Sequence, residues 1–103
     1  MKVIPIQNPI DYFEITTPNG NDIWTFIFTW SEKYSMFHVD ALLNGSIYTY
    51  SVAVLGGVFV FKDFSLGYNF YFLGETRTYT DLGNSMIMYL LTTEDATELG
   101  ILV

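Results

Sequence analysis

The run Asp22-Ile23-Trp24-Thr25-Phe26-Ile27-Phe28-Thr29-Trp30 decides the fold. Trp24, Phe26, Phe28 and Trp30 share one face, and Ile23, Thr25, Ile27 and Thr29 share the other. A period of two in aromatic and β-branched residues is a strand signature. The aromatic face reads as core, because a sugar-stacking platform mixes exposed rings with polar groups and this face has Phe at both central positions. Pro18-Asn19-Gly20-Asn21 in front of the run is turn chemistry, so Tyr12 to Thr17 is expected to form a hairpin with it.

The same pattern continues outward. Ser31 to Ser35 is a polar connection. Met36 to Leu42 alternates, with Phe37, Val39 and Ala41 opposed to Met36, His38 and Asp40. Asn44-Gly45 then predicts a tight hairpin into a strand over Ser46 to Val54. Beyond Gly56-Gly57, Val58 to Phe61 has strand propensity, and Val58 to Leu66 could equally form a short helical turn. Asn69 to Leu73 and Ser85 to Leu91 are expected strands, Thr76 to Tyr79 an extended stretch, and Asp81-Leu82-Gly83-Asn84 a turn. Gly20, Gly45 and Gly83 are expected at positive φ. The reading is an all-β protein, a small β-barrel or two-sheet sandwich of about six to eight antiparallel strands. Residues 1–91 form one β domain, and 92–103 a tail packing on it or on a neighbour. Glu94, Asp95 and Glu98 suggest at most one acidic helical turn in that tail.

At 103 residues the chain suits one domain. Four Lys+Arg against eleven Asp+Glu give a formal charge of −7. That argues against nucleic acid and against an anionic membrane surface. With no Cys, disulfides, thiol nucleophiles and thiolate zinc sites are excluded. Half the residues are hydrophobic and 18% are aromatic, so a folded chain is expected. Only 15% are charged, where about 25% is ordinary. So small a domain has too little interior for this apolar inventory, which points to association with other chains. The N-terminus, broken by Pro5 and Pro9, does not read as a signal peptide. Ala41 to Phe61 lacks charge and is long enough to span a bilayer, but its Asn-Gly and Gly-Gly turns read as strands and loops.

Candidate chemistry is sparse. His38 is the single histidine and shares a strand face with Asp40, with no further ligands or nucleophile at recognisable spacing. Asp11, Glu14, Asp40, Asp63, Glu75 and Asp81 single out no catalytic pair. Asp81 suits turn hydrogen bonding. Gly56-Gly57 lacks the residues of a phosphate loop. No cofactor, metal or catalytic residue is expected. Interface residues are expected instead. The segment Phe59 to Phe72 has more aromatics than one strand and turn can bury, so Phe64, Tyr68, Phe70 and Tyr71 are the candidates. Both ends are apolar as well, through Val3, Ile4 and Ile6 and through Leu99, Ile101, Leu102 and Val103. Ile101 and Val103 are the candidate contacts at the second end.

The order of features adds a resemblance. Ile4-Pro5-Ile6 stands near the start. Thr25-Phe26-Ile27-Phe28-Thr29-Trp30-Ser31, then Phe37-His38-Val39-Asp40 and Val54-Leu55-Gly56-Gly57, lead towards Phe61 and Phe64. Tyr79-Thr80-Asp81-Leu82-Gly83-Asn84 then precedes Met86-Ile87-Met88-Tyr89. Over about residues 3 to 90 this is similar to small phage tail proteins, the baseplate plug family of contractile-tailed cyanophages. The most specific piece is the Asp81-Leu82-Gly83 turn. Val58 to Leu66 is aromatic where that family has a Leu-rich helical turn, and the tail past Leu91 is longer. The resemblance implies a non-enzymatic structural subunit of the virion, made in the host cytoplasm. Its implied partners are hub and tube proteins in an oligomeric assembly. A carbohydrate-binding β-sandwich on an adhesion device is the rival reading. It requires Trp24, Trp30, Tyr48 or Tyr50 exposed in a groove. A small β-barrel enzyme would instead need a pocket around His38.

Overall fold

A computed structural model describes residues 1–101. Seven strands form: β1 (Lys2–Ile4), β2 (Tyr12–Asn19), β3 (Asp22–Ser31), β4 (Met36–Leu43), β5 (Ser46–Ala53), β6 (Tyr68–Gly74) and β7 (Met86–Thr92). A short helix, α1 (Thr93–Glu98), comes after them. The strands make two antiparallel sheets, β2-β3-β4-β5 and β1-β7-β6. Of the two expected architectures the sandwich is formed and the closed barrel is not.

The four-stranded sheet is a meander whose tight turns fix its register. Asn44 and Gly45 both take positive φ, 51° and 88°, the geometry that matches the twist of a two-residue hairpin. Gly20 and Gly83 are also at positive φ, as expected. The Asn44 side chain also ties the turn to β3, its Oδ1 accepting from the Ile23 N–H at 2.8 Å. Asn19 pairs with Asp22, and the Trp30 N–H donates to the Asp11 carbonyl. This parity turns the Pro18 nitrogen to the free edge of β2, where its missing N–H breaks no ladder bond. At the other edge the β4–β5 register shifts, and Asp40 Oδ1 accepts from the Ser51 N–H at 2.8 Å where Ser51 has φ 54°.

Burial of one aromatic layer joins the sheets. Trp24, Phe26 and Phe28 are fully buried, and Trp30 is half-buried where β3 reaches the open end of the sandwich. Phe26 meets Phe70 across the gap at 4.7 Å between centroids, and Phe28 meets Phe72 at 6.4 Å. The near-perpendicular ring planes are the favoured aromatic arrangement. Leu82, fully buried, closes one end of the core. Asp81 Oδ2 holds that turn by accepting from the Arg77 and Thr78 N–H groups at 2.8 and 3.1 Å. These bonds leave Thr78 extended, as expected, and start a 3₁₀ turn at the end of that stretch, over Tyr79–Asp81.

Two segments differ from the sequence reading for one reason: each takes its conformation from a distant strand edge. The triplet β1 pairs with β7, Val3 opposite Tyr89. Ile4 and Ile6, expected among the docking residues, are buried in this chain's own core. The Val58 to Leu66 segment is neither a strand nor a helical turn. Gly57, Val58 and Val60 exchange backbone hydrogen bonds with Phe70 and Phe72 of β6, and only Phe59 and Tyr71 form a bridge. Buried Asn69 fixes the path of the next residues, accepting from the Phe61 N–H and donating to the Phe61 and Asp63 carbonyls. In α1, Thr92 Oγ1 accepts from the Asp95 N–H and Asp95 Oδ2 accepts from the Thr92 N–H, each at 3.1 Å. That reciprocal cap lets the acidic turn extend to six residues.

Candidate functional site

The outward side of the three-stranded sheet is the unusual surface. In β7, Met86 and Met88 enter the core, so Ile87 and Tyr89 face out. In β6, Phe70 and Phe72 enter, so Tyr71 and Leu73 face out. Val3 faces out beside buried Ile4. The registers line these residues up across the strands as Val3, Tyr89, Tyr71 and Phe59, with Leu73 and Ile87 paired in the next outward row. The Phe59 ring lies tilted against Tyr71, 4.6 Å between centroids, and Phe64 lies 5.4 Å from Phe59. Val3 and Leu73 are each 52% exposed and the rest are half-buried. None of the seven carries charge. An antiparallel sheet with one face in water ordinarily alternates apolar with polar residues. The outward side of the four-stranded sheet mixes the two, with Glu14, Thr16, Thr25, Thr29, His38 and Asp40 among exposed Tyr12, Ile23 and Ile47.

Charged groups of both signs border this face, exposed Lys2 on β1 among them. At one end α1 lies over β7, with Leu91 and Ala96 buried and Glu94 and Glu98 exposed. The Asp95 carboxyl sits below the usual Asp range because the Met1 amino group, 2.9 Å away, and the Thr92 N–H both stabilise its anion. Asp63 is also held below the usual Asp range, by the Ser65 N–H at 3.0 Å. At the other end Glu75 comes directly after β6, exposed. Lys62 is the cation next to Asp63, whereas Arg77 turns away into a cleft with Trp30 and Glu32.

The residues expected at an interface divide. Phe64 and Tyr71 belong to the uncharged face. Tyr68 does not: its Oη accepts from Trp24 Nε1–H at 3.0 Å and donates to Asp22 Oδ2 at 3.1 Å, tying the two sheets together. Phe70 is corrected outright, since it is fully buried between Phe26 and Trp24. Its alternation with Asn69 and Tyr71 sends it inward. Ile101 is half-buried, its N–H bonded to the Ala96 carbonyl, while Leu102 and Val103 lie outside the described residues. Ile87, Tyr89 and Leu73 escape the sequence reading. The signal that points to them is the unbroken apolar run Met86 to Leu91, which places apolar residues on both faces of one strand.

The remaining chemistry-bearing residues do not converge. His38 lines a shallow groove of about 420 Å³ with Thr29, Trp30, Ser31, Asp40 and Ser51, and Asp40 is engaged at the β5 irregularity. Among the described residues no three His, Asp or Glu side chains cluster as metal ligands, and no helix is long and apolar enough to cross a membrane. Trp24 is buried, so only Trp30 of the two tryptophans reaches a groove. It lines a second cleft of about 140 Å³ with Glu32, Ser35, Arg77, Thr78 and Tyr79. No protein-family model and no curated protein matches the chain.

Proposed function

We propose that this chain is a non-enzymatic structural subunit of a phage tail baseplate, a plug-like component between central hub and tail tube. The observation that carries the assembly role is the uncharged outward face of β1, β7 and β6. Contact with water is unfavourable for its apolar rows, and contiguous patches of this kind mark protein contacts. The baseplate itself rests on the sequence resemblance, above all the Asp81-Leu82-Gly83 turn. In that setting the net charge of −7 suits a subunit near a DNA passage, since it repels phosphates. Cryo-electron microscopy of virions of a phage that encodes this protein tests the proposal. Density for the two-sheet sandwich at the baseplate centre is the expected result, and purified virions without the chain would overturn it.

One observation favours a second reading. Half-buried Trp30, with Tyr79 6.3 Å away and Arg77 and Glu32 beside it, has the aromatic-plus-polar makeup of a sugar subsite. A glycan that quenches the protein's tryptophan emission, with quenching lost in Trp30→Phe, would establish this reading in place of the first.

A further inference from the structure

We infer that the Trp30 end of the sandwich binds a glycan chain, with one unit against Trp30 and the next, uncharged, in the hollow across the Tyr79 turn. The inference rests on the sugar reading of Trp30 and adds the length and direction of the ligand. Size sets the length. The cleft beside Trp30 holds about 140 Å³, below the roughly 300–1,000 Å³ of ordinary small-molecule sites. A ligand seated there must therefore continue elsewhere. Two hollows adjoin the cleft. The groove of about 420 Å³ with His38 shares Trp30, but its Asp40 and Ser51 already bond each other. The larger hollow, about 660 Å³, lies across the turn, because Thr78 and Tyr79 line the cleft and Thr80 lines the hollow. Gln7, Asn8 and Asn84 line that hollow as well, with Pro9 and Ile10. Each carboxamide offers donors and an acceptor side by side, a pattern that adjacent sugar hydroxyls complement. None of the lining side chains is charged, which suits an uncharged unit. Both walls are fixed in advance. The turn comes so close to the N-terminal segment that a Cβ at Gly83 would strike the Ile6 carbonyl. Asn84 Nδ2 donates to the Thr80 carbonyl at 2.8 Å. Asn8, at φ 51°, kinks the chain between buried Ile6 and buried Pro9 and leaves Gln7 and Asn8 exposed. Walls that need no ordering make binding less costly.

A printed array of neutral and acidic glycans, from single sugars to hexasaccharides, tests this with the full chain. Neutral chains are expected to be retained and single sugars not. The retained chain and its terminal disaccharide are then titrated against tryptophan emission. Gln7→Ala with Asn8→Gly removes two carboxamides at exposed positions, and Gly accepts the left-handed backbone at position 8. That double variant should keep its thermal melt. It should weaken the chain at least about tenfold and leave the disaccharide unchanged. Trp30→Phe should abolish the quenching by both. If the double variant changes neither ligand while Trp30→Phe abolishes both signals, the chain inference falls and the sugar reading stands. Retention of acidic chains alone would overturn the uncharged unit. If the array retains no glycan, or Trp30→Phe leaves the quenching intact, the inference and the sugar reading both fall.

Discussion

Tyr68 shows how one hydroxyl can join two sheets. It belongs to β6, yet its Oη bonds Trp24 and Asp22 of β3. Tyr68→Phe keeps the ring and strands the buried indole N–H, so urea denaturation should show a loss of about 1–3 kcal/mol. The same residue sets an alkaline limit. Burial first, and then the Asp22 carboxylate, push the Tyr68 hydroxyl above the ordinary Tyr value. The unfolded chain therefore ionises first. Stability should hold below a pH of about 10 and fall as pH rises through that value towards the folded one. Melting curves across that range should slope less in Tyr68→Phe, and an unchanged slope would assign the loss to other groups. From sequence, Tyr68 reads as an exposed aromatic, because a hydroxyl's partner forty-four residues away leaves no local pattern.

Among the elements, turns and long strands are legible in the sequence and borrowed strands are not. Asn44-Gly45 and the β3 alternation carry their own instructions, and their positions agree with the structure to within a residue or two. Lys2 to Ile4 carries none and Gly57 to Val60 only a strand propensity, since their pairings exist only where β7 and β6 offer an edge. The uncharged face is half legible: Phe64 and Tyr71 stand out as surplus aromatics, while the Met86 to Leu91 run reads only as a strand. Asp81-Leu82-Gly83 combines a carboxylate that gathers N–H groups, a plug for the core and a close approach within three residues. Gly83 has φ 91°, and a Cβ there would strike the Ile6 carbonyl. Gly83→Ala should therefore cost about 1–3 kcal/mol. A thermal melt unchanged from the parent would show that the turn can shift freely.

For the whole molecule, stability rests on the single aromatic layer between the sheets. Phe26→Ala or Phe28→Ala should cost about 3–5 kcal/mol, enough to threaten a domain of this size, whereas Leu73→Ser on the outward face should cost far less. Equal losses in chemical denaturation would mean that the outward face is core as well. The strand order has a consequence for biosynthesis. Translation delivers β1 before the other strands and its partner β7 after them, so the three-stranded sheet cannot close until β7 has been made. At about 5–20 residues per second, the β2–β5 meander waits on the order of seconds with Trp24, Phe26 and Phe28 uncovered. Ribosome-bound chaperones that shield nascent apolar surface should therefore engage this protein during that interval, and a synonymous slow codon placed just before β6 should lower its soluble yield.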